Sequence, residues 1–189
     1  NFFDAKEVKK LDRFTMFGLI AAKQAIYEAN YSSSDVGVIV GTGVGGMHTL
    51  EEEYSKYIKK GQRGVSPFYV PKMIPNIAGG QIAIKNNLTG LNSSMSTACS
   101  SATDAIGMAY RLISDGHINA IVCGGAEGSI TPLTLSGFAN MKALSKNNDN
   151  PSKASKPFDK ERDGFILSEG AGMLFLENES PVSDTFSFA

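Results

Sequence analysis

The feature that most constrains this chain is a run of small side chains at helical spacing that directly follows a strand. Leu91 to Thr97 reads as the strand, and Ala102, Thr103, Ala105, Gly107 and Ala109 line the helix expected from Cys99 to Ser114. A helix with so little bulk lets neighbouring backbones approach on several sides, so it is expected near the centre of the fold. Asp115-Gly116 stops it. Ile118 to Cys123 then reads as a buried strand, and Val36 to Val40 is a second short β-branched run.

The remaining segments continue the alternation. Apolar residues recur at helical spacing over 6–29, a polar helix is expected over 47–60, and another over 73–86. Ser66 to Pro71 reads as an extended aromatic segment, and 133–143 as a short helix. Asn147 to Pro157 is a loop, and Phe165–Leu167 with Gly172–Glu177 reads as the two arms of a hairpin. Strands alternating with helices define the α/β class, with a mixed, mainly parallel sheet and flanking and buried helices.

The chain has 189 residues, 42% of them hydrophobic and 20% charged, enough for one sizeable core and one domain. A formal net charge of −1 gives no global pull toward nucleic acid or an anionic membrane. No apolar run is long enough to span a bilayer. Two cysteines are too few for a disulfide scaffold, so a reducing, cytoplasmic setting is expected. Asn30, Asn87, Asn92 and Asn178 stand in glycosylation sequons that carry little weight without a secretory signal. The charged opening and the irregular stretch 178–189 suggest a piece of a longer protein.

The chemical centre is Ser96-Thr97-Ala98-Cys99-Ser100-Ser101. A thiol attacks as its thiolate, and the amino end of a helix stabilises that anion and the oxyanion of a tetrahedral intermediate. The residues alone leave two readings of Cys99 open: a nucleophile, or a buried structural cysteine. Cys123, inside an apolar strand, reads as structural.

Ser94 to Ser101 closely resembles the nucleophile motif of the β-ketoacyl-acyl-carrier-protein synthases, members of the thiolase superfamily. Ile121 to Glu127, Lys156 to Phe165, Glu169 to Gly172, Gly41 to Gly46 and Ser66 to Pro71 resemble further family segments in the same order. The resemblance covers nearly everything from Lys6 to Glu177. It implies a thiolase-like fold of which residues 1–177 form the N-terminal half, with 178–189 an irregular tail. It also implies an activity: Cys99 takes an acyl chain from acyl carrier protein, and a malonyl-carrier loses carbon dioxide and attacks the thioester. Neither a metal nor a redox cofactor is implied, and a homodimer is.

The same resemblance assigns further residues. Val44 falls at a gate of the acyl pocket, Phe138 on an aromatic wall of it, and Tyr69 on a segment reaching across the dimer interface. For all three, plain packing is the competing reading. Lys6, Lys9 and Lys10 fall where the family docks its acidic carrier, although a lysine run is often only a solvated face. The family also requires two histidines in its second half. His48 and His117 stand in neither matching motif and read as surface or structural residues. This chain by itself is therefore expected to be inactive.

Alternatives remain within and outside the class. A polyketide ketosynthase domain is the nearest, and a degradative thiolase is disfavoured by Phe158 to Phe165. A non-catalytic chain-length factor is disfavoured by Cys99, while an inactive fragment stays open. Gly41-x-Gly43-x-x-Gly46 matches the dinucleotide fingerprint, but no acidic residue ends a second strand about 20 residues on. Glu127, Asp159, Arg162, Asp163 and Glu169 are expected to pair among themselves and support the loops around the site.

Overall fold

A computed structural model describes residues 2–178; the expected tail, from residue 179 on, lies outside the described residues. Its centre is a four-stranded sheet in the order β2-β1-β3-β4. The strands are β1 (Gly37–Gly41), β2 (Asn92–Met95), β3 (Ala120–Glu127) and β4 (Gly170–Glu177). β1 pairs in parallel with β2 and with β3, and β4 runs antiparallel to β3. The expected mixed, mainly parallel α/β sheet is what forms.

Alternation along the strands sorts the core into two layers. Val38, Val40 and Val122 point to one face, where they meet Phe14, Leu19 and Ala22 of α2 (Arg13–Ala29) and Ala78 and Ile82 of α5 (Ile77–Asn86). Ile39, Ile121 and Cys123 point to the other face, against Ala105, Ala109 and Ile113 of α6 (Ser101–Ser114). Each of these strand residues is at most 1% exposed, so the sheet is covered on both sides. α6 buries a single stripe, Ser101, Ala105, Ala109 and Ile113, four residues apart. Among the described residues its opposite face, with Met108 and Tyr110, is exposed, so the expected packing on several sides is seen on one.

Several local expectations are corrected. The helix expected over 6–29 is two helices, α1 (Ala5–Val8) and α2, because Asp12 caps a new start. The Asp12 carboxylate accepts from Phe14 N–H (3.3 Å) and from Thr49 N–H (2.9 Å) on α3 (Met47–Lys60). The segment expected to be extended at 66–71 turns into the short helix α4 (Tyr69–Met73). Pro71 fits there because a first turn needs no intrahelical N–H, and Pro75 ends the element and delays α5 to Ile77. β3 continues past Cys123 through Gly124 and Gly125 to Glu127.

The hairpin does not form. β4 pairs along its whole length with β3, while Phe165 makes one parallel bridge to Leu144. Beside β3, Met173 and Phe175 pack against one core layer and Leu176 against the other, contacts that a local turn with 165–167 would not supply. α7 (Pro132–Asn140) follows β3, capped by the Thr131 hydroxyl, which accepts from Thr134 N–H (3.2 Å).

Candidate active site

The carboxyl ends of β1 and β2 meet at one place. Gly41 lies between Met95 on one side and Gly125 on the other. The first turn of α6 rests directly on this point. A side chain on Gly41 would put its Cβ 2.2 Å from the Ser101 carbonyl oxygen, and one on Gly125 would meet Ala102 at 2.6 Å. The two glycines are what allow the helix to start so close to the sheet.

Between β2 and α6 the backbone makes a sharp turn. Ala98 has φ +54°, in the left-handed region, and residues Ala98–Ser100 form one tight turn before α6 begins at Ser101. The helix was expected to begin at Cys99; the thiol instead stands two residues ahead of it. Left-handed backbone at an alanine is strained and needs support from its surroundings. Ser101 supplies it: its hydroxyl accepts from Thr97 N–H (2.9 Å) and donates to the Ala98 carbonyl (2.7 Å). Asp104, one turn into α6, accepts from the Ser100 hydroxyl (3.1 Å) and from the Thr97 hydroxyl. Cys99 itself is exposed.

A second loop is fastened beside it. Glu127, at the end of β3, accepts from Gly43 N–H (2.6 Å) and from the Thr42 hydroxyl (3.2 Å). The Thr42 hydroxyl also accepts from Gly45 N–H (3.2 Å). The Ser96 hydroxyl donates to the Gly43 carbonyl (3.3 Å), so the glycine turn and the cysteine turn are tied together. Glu127 and Thr42 thus hold one loop, and Ser101 and Asp104 the other. Sequence reasoning placed Thr97 and Ser101 in the motif without giving them a role, and missed Asp104. The available signal was a hydroxyl and a carboxylate within the first turn of a helix, where donors lack partners.

The other residues singled out sit in different surroundings. Val44 follows Gly43 directly and is 46% exposed. Phe138 is half-buried and packs edge-on against Phe165, centroids 5.2 Å apart. Tyr69 opens α4 and is half-buried. Lys6, Lys9 and Lys10 are all exposed, and the Lys10 ammonium lies 5.6 Å from the centre of the Phe68 ring. A groove of about 860 Å³ runs between Lys156, Phe158, Arg162 and Phe165, and Cys99 is not on its wall.

The charged set expected to pair internally does not. Glu169 pairs with Arg13 (2.5 Å), Glu127 binds the glycine turn, and Asp163 accepts from the Ser145 hydroxyl (2.5 Å) and Lys146 N–H (2.8 Å). These two hydrogen bonds, the serine one foremost, hold the Asp163 carboxyl below its usual range. Only Arg162 stays within the set, donating to the Asp159 carbonyl at 2.7 Å. Burial pushes the Cys123 thiol up to about 11. Among the described residues no cluster of three or more His, Cys, Asp or Glu is placed to hold a metal.

A sheet whose strand runs through a left-handed turn and an exposed cysteine into a small-residue helix defines an α/β protein with a strand–cysteine–helix elbow. The chain belongs to the β-ketoacyl synthase family: residues 2–181 match the beta-ketoacyl synthase, N-terminal domain. It is 45% identical over 181 residues to 3-oxoacyl-(acyl-carrier-protein) synthase 2 of Synechocystis sp., and 42% identical to the protein of that name from Vibrio cholerae. Each match covers 93% of this chain and 44% of the relative, so the chain spans less than half the length of these proteins. A crystal structure of a beta-ketoacyl synthase from Burkholderia phymatum superposes with a TM-score of 0.82 at 27% identity, over 93% of this chain and 44% of that one. A ketosynthase of a type II polyketide system, solved with its acyl carrier protein and a bound hexaketide, gives 0.77 at 25% identity, over 93% and 50%. The fold is thus thiolase-like, as expected.

Proposed function

We propose that the protein carrying this chain is a 3-oxoacyl-(acyl-carrier-protein) synthase that lengthens acyl chains by decarboxylating condensation. The observation that carries the reading is the exposed Cys99 on a braced turn, two residues ahead of a fourteen-residue helix. In the first half-reaction the Cys99 Sγ attacks the acyl thioester carbon, and the carbon–sulfur bond to the carrier's pantetheine thiol breaks. The peptide dipoles of α6 favour negative charge on the attacking sulfur. In the second, malonyl-carrier loses carbon dioxide, its carbanion attacks the Cys99 thioester, and the Cys99 thiolate leaves. The groups that assist decarboxylation are assigned to the part of the protein beyond this chain, since His48, on α3, and His117, after α6, stand in neither of the matching family motifs.

The 45% identity to a protein named for acyl-carrier-protein chemistry favours this reading over a polyketide ketosynthase at 25%. Val44 is assigned to the acyl-length gate, being adjacent to the turn tied to Ser96. Phe138 and Tyr69 are assigned to the walls of the acyl pocket, with Tyr69 contributed across a homodimer; the open edge of β2 is the surface that would pair. Lys6, Lys9 and Lys10, all exposed, with Lys10 over the Phe68 ring, are assigned to the acidic carrier. A cytoplasmic location fits two unpaired cysteines, and no described helix is long and apolar enough to cross a membrane.

The test uses the whole polypeptide, acyl-carrier donor and malonyl-carrier. Acyl adducts are expected on Cys99 by mass spectrometry, and Cys99→Ala is expected to abolish condensation. Adducts on Cys123, or condensation retained in Cys99→Ala, refute the assignment.

A further inference from the structure

One carboxylate reaches further than the loop it closes. Glu127 ends β3, and its two oxygens hold two consecutive residues of the glycine turn. Oε2 accepts from Gly43 N–H (2.6 Å), and Oε1 accepts from the Thr42 hydroxyl (3.2 Å). A carboxylate can come this close only because position 43 has no side chain: a Cβ there would lie 2.9 Å from Oε2. The same Cβ position is 3.9 Å from the Ala98 carbonyl oxygen, so Gly43 sits between Glu127 and the cysteine turn.

Gly43 is held from both sides. Its N–H goes to Glu127, and its carbonyl accepts from the hydroxyl of Ser96 (3.3 Å), three residues before Cys99. That carbonyl belongs to the peptide joining Gly43 to Val44. A peptide is planar, so fixing its carbonyl also fixes where Val44 begins. The rest of the turn is anchored as well. The buried Thr42 hydroxyl accepts from Gly45 N–H (3.2 Å), and Gly46 N–H donates to the Met73 carbonyl (3.0 Å). Val44 stands between these anchors, and its side chain is the exposed one.

We propose that Glu127 is a positioning residue that sets acyl-length selectivity. By fixing the Gly43–Val44 peptide against the cysteine turn, it fixes the room that the Val44 side chain leaves for the acyl chain on Cys99. The inference rests on the condensation proposed above. The role needs the shape of the side chain rather than its charge. A glutamine can accept from Gly43 N–H with its carbonyl oxygen and donate to the Thr42 hydroxyl with its amide nitrogen. An alanine does neither, and Val44 is then free to yield to a longer chain. Plain support of the loop is the competing role, and it predicts something else: a loosened loop slows every chain length alike.

The test measures kcat/KM of the whole polypeptide for hexanoyl-carrier and palmitoyl-carrier, with malonyl-carrier as the second substrate. Glu127→Ala is expected to raise the palmitoyl-to-hexanoyl ratio about tenfold. Glu127→Gln is expected to restore the wild-type ratio. Thr42→Val removes one of the two contacts and is expected to move the ratio the same way by less; it decides the matter alone if Glu127→Ala does not fold. An unchanged or lower ratio, including equal losses for both chains, overturns the proposal. So does a Glu127→Gln ratio shifted as far as that of Glu127→Ala. Condensation that persists in Cys99→Ala would overturn it together with the reaction, whereas the other outcomes leave the reaction standing.

Discussion

Two cysteines, 24 residues apart, sit in opposite surroundings on the same sheet. Cys123 lies mid-strand in β3, fully covered by α6, paired across to Ile39 on one side and Leu174 on the other. Cys99 lies past the end of β2, where the ladder has stopped and the backbone turns left-handed. Burial raises the Cys123 thiol and removes it from reagents, while Cys99 is open and stands two residues ahead of a helix. Reactivity here is set by where a strand ends rather than by the residue type. The support differs too: Cys123 is held by apolar packing, the Cys99 turn by a short chain of hydroxyls and one carboxylate.

The contrast can be broken most directly by alkylation at pH 8. Cys99 is expected to react at least ~10³-fold faster than Cys123, whose labelling requires the sheet to open. Comparable rates, read by peptide mass spectrometry, would abolish the distinction. Gly41→Ala attacks the close approach under the cysteine turn. Its Cβ would meet the Ser101 carbonyl at 2.2 Å, so a loss of about 3 kcal/mol in denaturant unfolding is expected. The same substitution at Gly80, where the added carbon meets nothing, is expected to be neutral or slightly stabilising.

Alkaline pH sharpens the other half of the comparison. The folded Cys123 thiol titrates near 11, while an unfolded one ionises near 9. Stability from this group is intact below the lower value and falls between the two, by about 1.4 kcal/mol per pH unit. Cys123→Ala is expected to remove that slope from the difference between the two unfolding curves. Ser101→Ala leaves the Thr97 N–H and the Ala98 carbonyl without their partner, at a cost of about 1 kcal/mol. Its mark is a changed Cys99 alkylation rate with Cys123 unaffected.

The elements that could be read along the chain are those whose signal is local. β1 and α3 carry their own periodicity or β-branching, and each formed within a residue or two of its expected bounds. The strand–cysteine–helix order was legible for the same reason. The split between α1 and α2 was not, because the carboxylate that caps α2 also binds Thr49, 37 residues away. The false hairpin arose likewise: 165–167 and 172–177 are neighbours in sequence, but β4 finds its partner in β3. The frame of Cys99 escaped notice because Ser101 and Asp104 look like ordinary helix residues until the turn brings Thr97 and Ala98 against them.

The amino-acid order alone determined that strands alternate with helices, that a small-residue helix follows a strand, and that a cysteine stands at their junction. These depend on side-chain size and branching over a few residues. Only the folded chain decided which cysteine is open and which carboxylate holds which loop. Those outcomes depend on groups tens of residues apart competing for the same few buried partners, and a linear pattern contains no record of who wins.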